Sequence, residues 1–347
     1  MRSPTRNEAL IAAGLAGAAG VNAWLTSRRA DRASKLRRAE SEAGRPVHVR
    51  GADGGYRYVR VFGEDDKPTL VLVHGWVETS ELWHRQVESL ADDFRIVVYD
   101  HRGHGLSEDA RDGEYTFDAL AEDLQQVLDA TLVEGELPLL VGHSLGAMTI
   151  AAWAHSKRGS VANHIRGAAF VSTGLEDLTT ESAVVKQLPG PFATVQGKIA
   201  DAILGAPGSI RTVPLPIARA VVAYVALAPN ARREDIELVT RMALDCRHEA
   251  RAECGIAMSR MKLLSELDAV DVPAVVVAGE LDRLTPVSHA ERIDQGLPHS
   301  VGLYVSPTAG HSTPLECPEL VNEALRDLAE VSGSGKLAAR ERELRAA

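Results

Sequence analysis

Residues 137–154, LPLLVGHSLGAMTIAAWA, constrain this chain more than any other stretch. The apolar run 139–141 stops at Gly142-His143-Ser144-Leu145-Gly146, and residues 147–154 continue as an Ala-rich helical pattern. A buried strand, a tight turn with a serine between two glycines, and a helix form one unit in which strand and helix crowd each other. Gly142 and Gly146 lack the Cβ atoms that would collide there. The helix start behind Ser144 points free backbone N–H groups at any negative charge developing beside it.

The flanking sequence repeats a strand–helix rhythm. Residues 46–50 and 56–62 read as two strands around the Asp53-Gly54-Gly55 turn. The continuous apolar run 69–73 fits a strand buried on both faces, 95–99 reads as the next buried strand, and 166–173, 274–278 and 301–305 supply three more. Helical periodicity marks 80–90, 117–132, 232–247, 249–267, 287–297 and 314–331. This alternation implies a mostly parallel sheet with helices on both faces, whose ligands bind at the carboxyl ends of the strands. Ser144, His74, Asp100, Asp282 and His311 all follow strand ends, so they are expected on one rim. Residues 174–270 contain no clear buried strand and read as an inserted helical cap. Within it, the apolar run 217–228 fits either an acyl-pocket lining or a helix packed on the core.

The domain organisation expected is therefore 1–45, an apolar segment with a basic linker; 46–173, the first part of the core; 174–270, the cap; 271–332, the second part; and 333–347, a charged tail. Residues 9–27 carry no charge over 19 positions, and as a helix at ~1.5 Å per residue they would reach about 28 Å, close to a bilayer core. Ten of those 19 residues are Ala or Gly, which makes insertion marginal. A membrane anchor, a signal peptide and a packed helix all fit. The anchor reading, with Arg28, Arg29, Arg32 and Lys35 at an anionic leaflet, puts the catalytic domain on the cytoplasmic side of a membrane; the others make it secreted or cytoplasmic.

A net charge of -10 argues against a sequence-independent grip on nucleic acid, which needs a basic surface. Cys246, Cys254 and Cys317 are too few and too irregularly spaced for a disulfide framework. Cys246, His248 and Cys254 are close in sequence but lack a second ligand pair, so no metal site is expected.

These pieces together resemble the α/β-hydrolase superfamily, over residues 46–331. The resemblance rests on His74-Gly75, on Asp100-x-Arg102-Gly103-x-Gly105-x-Ser107, on the serine turn, on Asp282 and on His311, in the family's chain order. It implies an eight-stranded α/β-hydrolase sheet with a helical cap and a nucleophile, Ser144, activated by His311 and oriented through Asp282. Some members carry the acid after the preceding strand, where Glu176 and Asp177 stand here. The oxyanion hole would be the Trp76 and Leu145 amides, with His74, Gly75 and Asp100 in supporting roles and His143 a core residue. The expected activity is cofactor-free hydrolysis of a small-molecule carboxylic ester, of lipid-like or medium acyl length. Perhydrolysis, carbon–carbon bond hydrolysis, acyl transfer and a non-catalytic binding role stay open, as does the oligomeric state.

Overall fold

Runs of β-branched and leucyl residues leave the central strands no polar face to show to water, and the sheet is accordingly covered on both sides. The computed structural model describes residues 44–182 and 213–333. Contacts divide the chain into a unit of residues 1–45 and a unit of residues 46–347, and the second holds the sheet from Pro46 onward.

The strands are β1 (Arg45–Arg50), β2 (Tyr56–Phe62), β3 (Thr69–Val73), β4 (Arg95–Tyr99), β5 (Leu139–His143), β6 (Gly167–Val171), β7 (Ala274–Gly279) and β8 (Ser300–Ser306). They form one 8-stranded sheet in the order β1-β2-β4-β3-β5-β6-β7-β8. β2 runs antiparallel to β4, and every pairing from β4 through β8 is parallel. The helices are α1 (His84–Leu90), α2 (Phe117–Thr131), α3 (Leu145–Ser156), α4 (Leu178–Glu181), α5 (Leu215–Ala226), α6 (Arg233–Asp245), α7 (His248–Arg260), α8 (Val287–Gly296), α9 (Thr313–Glu316) and α10 (Pro318–Gly333).

Because strand side chains alternate, each strand feeds two cores. Val71, Val73, Val97, Leu140, Phe170 and Val276 face one side and pack with residues of α2, α3 and α8, among them Leu124, Met148 and Ile293. Leu70, Leu72, Ile96, Val141, Ala169 and Val275 face the other and pack with Trp83, Leu90, Leu325 and Leu328. Each fully buried aliphatic side chain contributes about 1.5–3 kcal/mol, so the two faces together fix the register of the sheet.

Three helical stretches differ from the sequence reading, the first because 80–90 begins as a 3-10 turn, Ser80–Trp83, ahead of α1. The pattern over 314–331 is two helices, because Pro318 brings no N–H and begins α10 after a break at Cys317. The pattern over 249–267 is α7 followed by a separate 3-10 turn, Leu264–Ala269, since Met261 leaves helical geometry. The apolar residues of α5 also fall differently. Val222 and Ala226 pack on the second core, whereas Ile217, Val221 and Tyr224 are 54%, 55% and 44% exposed and face an open surface hollow with Pro216 and Ala220.

The expected placement at a membrane is not borne out. Residues 9–27 lie outside the described residues, and no helix among the described residues is long and apolar enough to cross a membrane. The Ala/Gly-rich composition of that segment offers little transfer energy to set against this. The membrane-associated assignment falls, and with it the orientation built on it.

Candidate active site

The turn after β5 is forced by close approach. A Cβ on Gly146 would stand 2.1 Å from the Val73 carbonyl oxygen, and one on Gly142 would stand 2.4 Å from the Ala147 nitrogen. Between them Ser144 takes φ 49 and ψ -115, a left-handed conformation that costs a non-glycine residue about 1–3 kcal/mol. Its N–H donates to the Val171 carbonyl at 3.0 Å and its own carbonyl accepts from Thr173 Oγ1 at 3.0 Å, so both ends of the strained residue are tied to β6 and the loop after it. Leu145 opens α3, and its N–H has no acceptor within the helix. β3 and β5 pair with Val73 opposite Gly142. Trp76 and Leu145 are therefore equally far beyond the paired residues on neighbouring strands.

At the same carboxyl rim of the sheet, the loop after β8 carries His311. Its Nδ1 lies 2.8 Å from Asp282 Oδ2, at the turn after β7. Asp282 also accepts from Thr285 Oγ1 at 2.7 Å, from Leu284 N at 2.8 Å and from Thr285 N at 2.9 Å, which leaves its carboxylate one orientation. Burial pushes this carboxyl up, but His311 and the Thr285 donors outweigh it and hold the pKa below the ordinary value. For His311 burial works against charging, and Asp282 outweighs it, so the ring holds its proton to higher pH than a free imidazole. A hydrogen on Nδ1 facing the carboxylate leaves Nε2 as the nitrogen that takes up a proton. Neither alternative acid is placed this way: Glu176 lies 3.9 Å from Arg292, and Asp177 heads α4 in a left-handed conformation.

A family model described as the alpha/beta hydrolase fold matches residues 68–208. The chain has the fold of the α/β-hydrolase superfamily. It is similar to the pimeloyl-[acyl-carrier protein] methyl ester esterase of Vibrio atlanticus, 27% identical over 269 residues covering 74% of this chain and 94% of that one. Among solved structures it is similar in fold to a thermophilic esterase from Thermogutta terrifontis (TM-score 0.66, 24% identity, 83% of this chain and 98% of that one). It is likewise similar to the enol-lactonase from Burkholderia xenovorans LB400 (TM-score 0.65, 21% identity, 81% and 98%).

In this α/β-hydrolase fold the remaining rim residues hold loops. His74 Nδ1 donates to the Gly75 carbonyl at 2.7 Å and Nε2 accepts from His101 N at 3.0 Å. Burial keeps its ring neutral, with a pKa lowered to about 4. His104 is lowered to about 3 by burial, and its Nε2 accepts from Val77 N at 3.4 Å, bracing a β-branched residue held at φ 56 beside Trp76. Asp100 accepts from Ser80 N at 2.7 Å and Leu106 N at 2.8 Å, and burial raises it to about 6.

Helices α6 and α7, and the turn between them, lie against this rim. The Trp76 indole donates to the Arg251 carbonyl of α7 at 2.9 Å, Arg241 of α6 pairs with Glu81, and Arg247 donates to the Ser107 carbonyl at 2.7 Å. Cys246 and Cys254, considered with His248 as metal ligands, are buried thiols, and Cys246 is pushed up to about 12 by burial. Among the described residues no group of three or more His, Cys, Asp or Glu side chains is arranged to hold a metal ion.

Sequence reasoning missed Glu78 and Glu316 and underrated His143. Glu316 accepts from Gly310 N and Ser312 N, each at 3.1 Å, and from Ala228 N at 2.7 Å, so it clamps both neighbours of His311. His143 is buried but far from an inert core residue: Nδ1 lies 2.8 Å from Glu78 Oε2 and Nε2 2.9 Å from the His311 carbonyl oxygen. The only sequence signal for the pair was a carboxylate four residues after His74.

Proposed function

We propose that this α/β-hydrolase-fold protein cleaves small-molecule carboxylic esters through a Ser144 acyl-enzyme. The observation that supports this most is the His311–Asp282 pair, 2.8 Å apart and carried on the rim that also carries the strained serine turn. His311 Nε2 takes the Ser144 proton as Oγ attacks the ester carbonyl. The tetrahedral oxyanion is held by the Leu145 and Trp76 N–H groups. Collapse expels the alcohol, which leaves with the proton from Nε2. Water then attacks the acyl-enzyme, gives a proton to the same nitrogen, and releases the acid as the proton returns to Ser144.

The activity named for the Vibrio relative supports an ester with a small alcohol. Ile217, Val221 and Tyr224 of α5 are exposed on an open surface hollow, so the acyl length, lipid-like or medium, is read from the graded ester series below. The segment 174–270 is read as a cap over the rim, on the strength of the contacts of α6 and α7 with the loops after β3 and β4.

Intact-protein mass after treatment with a fluorophosphonate tests the reading. One adduct on the wild type and none on Ser144→Ala is the expected result, followed by turnover of p-nitrophenyl esters graded in acyl length. No adduct on the folded wild type would return the chain to a binding role. Peroxide-dependent turnover exceeding hydrolysis would instead make it a perhydrolase.

A further inference from the structure

His143 ends β5 on the same face as Val141, next to Ser144 in sequence, yet its ring is not packed as an apolar core group. Both ring nitrogens meet oxygen acceptors: Glu78 Oε2 at 2.8 Å from Nδ1 and the His311 carbonyl at 2.9 Å from Nε2. A carbonyl only accepts, so Nε2 carries a hydrogen. Glu78 Oε2 also accepts from Gly75 N at 2.8 Å. An oxygen that receives the Gly75 N–H and faces Nδ1 is best satisfied as a carboxylate receiving two hydrogen bonds, which puts hydrogen on Nδ1 as well. The ring is then an imidazolium and Glu78 its counter-charge.

The fold makes room for this pair. A Cβ on Gly75 would stand 2.5 Å from Glu78 Oε2 and 2.7 Å from His143 Nδ1. That glycine is therefore required by the pair and not by its own backbone angle. The two ends of the pair touch the two halves of the machinery. One holds the amide just before Trp76; the other holds the backbone oxygen of His311 itself.

We propose that Glu78 and His143 form a buried carboxylate–imidazolium pair that fixes the oxyanion loop relative to the His311 loop, making both positioning residues for the hydrolysis proposed above, on which that role rests. Acyl transfer needs Nε2 of His311 and the Trp76 amide placed at once on the same reacting carbonyl, and a shift of about 1 Å in either costs on the order of 100-fold. No bond of the substrate is made or broken by the pair.

The test combines kinetics with a spectrum of the ring. Glu78→Gln keeps the size of the side chain but removes the charge, so a neutral His143 can no longer donate from both nitrogens. We expect kcat to fall about 10–100-fold with KM changed less than about threefold, as for other groups that orient a reacting residue. His143→Gln should fall similarly, and the double variant no further than the worse single one. In the full-length protein with 15N-labelled histidine, the resonances lost in His143→Gln should report hydrogen on both ring nitrogens. Glu78→Gln should convert that ring to one protonated nitrogen. A neutral His143 in the wild type overturns the proposal, as does Glu78→Gln with unchanged kcat. If the wild type takes no fluorophosphonate, the hydrolase reading and the positioning role fall together, and the ring spectrum still decides the ion pair.

Discussion

Asp282 Oδ2 sits 2.8 Å from His311 Nδ1 while receiving the Thr285 hydroxyl at 2.7 Å, so the acid is held from behind by the loop that carries it. Asp282→Asn keeps the shape but offers an amide N–H to the His311 nitrogen and stabilises the wrong tautomer. Its kcat for ester hydrolysis should drop by about 10³–10⁴-fold with the fold retained, as expected for an orienting carboxylate. Steady-state kinetics beside a circular dichroism spectrum decide this. A loss below about tenfold would remove Asp282 from the acid's role.

The pH dependence arises from the same pair. His311 holds its proton above the ordinary value of 6.5, and in the proposed mechanism only the neutral ring accepts the Ser144 proton. Hydrolysis should therefore rise with pH through a midpoint above 6.5 in kcat/KM, and Asp282→Asn should move that limb to lower pH. Stability changes in the opposite sense. The raised His311 pKa stabilises the fold fully below 6.5 and less as pH climbs through the folded value; the lowered Asp282 pKa stabilises it above 3.8 and less as pH falls through its own. Denaturant titrations of wild type and Asp282→Asn should differ most between 3.8 and 6.5.

Ser144 stores strain at φ 49. Ser144→Gly, which adopts that geometry freely, should be more stable than Ser144→Ala by about 1 kcal/mol in urea unfolding, and both should be inactive. Equal stability of the two would mean that the turn carries no strain.

Gly146 should tolerate nothing larger. With a Cβ 2.1 Å from a backbone oxygen of β3, no rotamer relieves the contact, and Gly146→Ala must push α3 off the strand. A loss of about 3 kcal/mol or more, at the upper end of overpacking costs, is expected by thermal or chemical unfolding. A variant with wild-type stability and activity would show that helix and strand are not in close contact there.

The parts of the site that were legible in the sequence are those where one backbone constraint dictates residue type. Gly142 and Gly146 announced the turn because steric exclusion admits no other residue. β3, β4 and β7 announced themselves because burial on both faces erases alternation. The rest is tertiary. Glu78 and His143 stand 65 positions apart, and no local spacing encodes their meeting. The outward turn of Ile217 and Val221 was illegible for the same reason: an apolar helix reads alike whichever side of it is covered. The break at Pro318 was written in the chain, and only the strength of the flanking periodicity hid it.

The end of α5 is joined to the His311 loop: Ser312 N donates to the Ala226 carbonyl at 3.1 Å, and Ala228 N to Glu316 at 2.7 Å. These bonds limit how the chain could be trimmed or recombined. Excising the helices between β6 and β7, or grafting in those of another hydrolase, would leave Ser312 and Glu316 without the acceptor and donor that seat His311. A minimal version of this protein would have to keep residues 226–228 with the core, and a chimaera spliced downstream of them would exchange the roof without loosening the base.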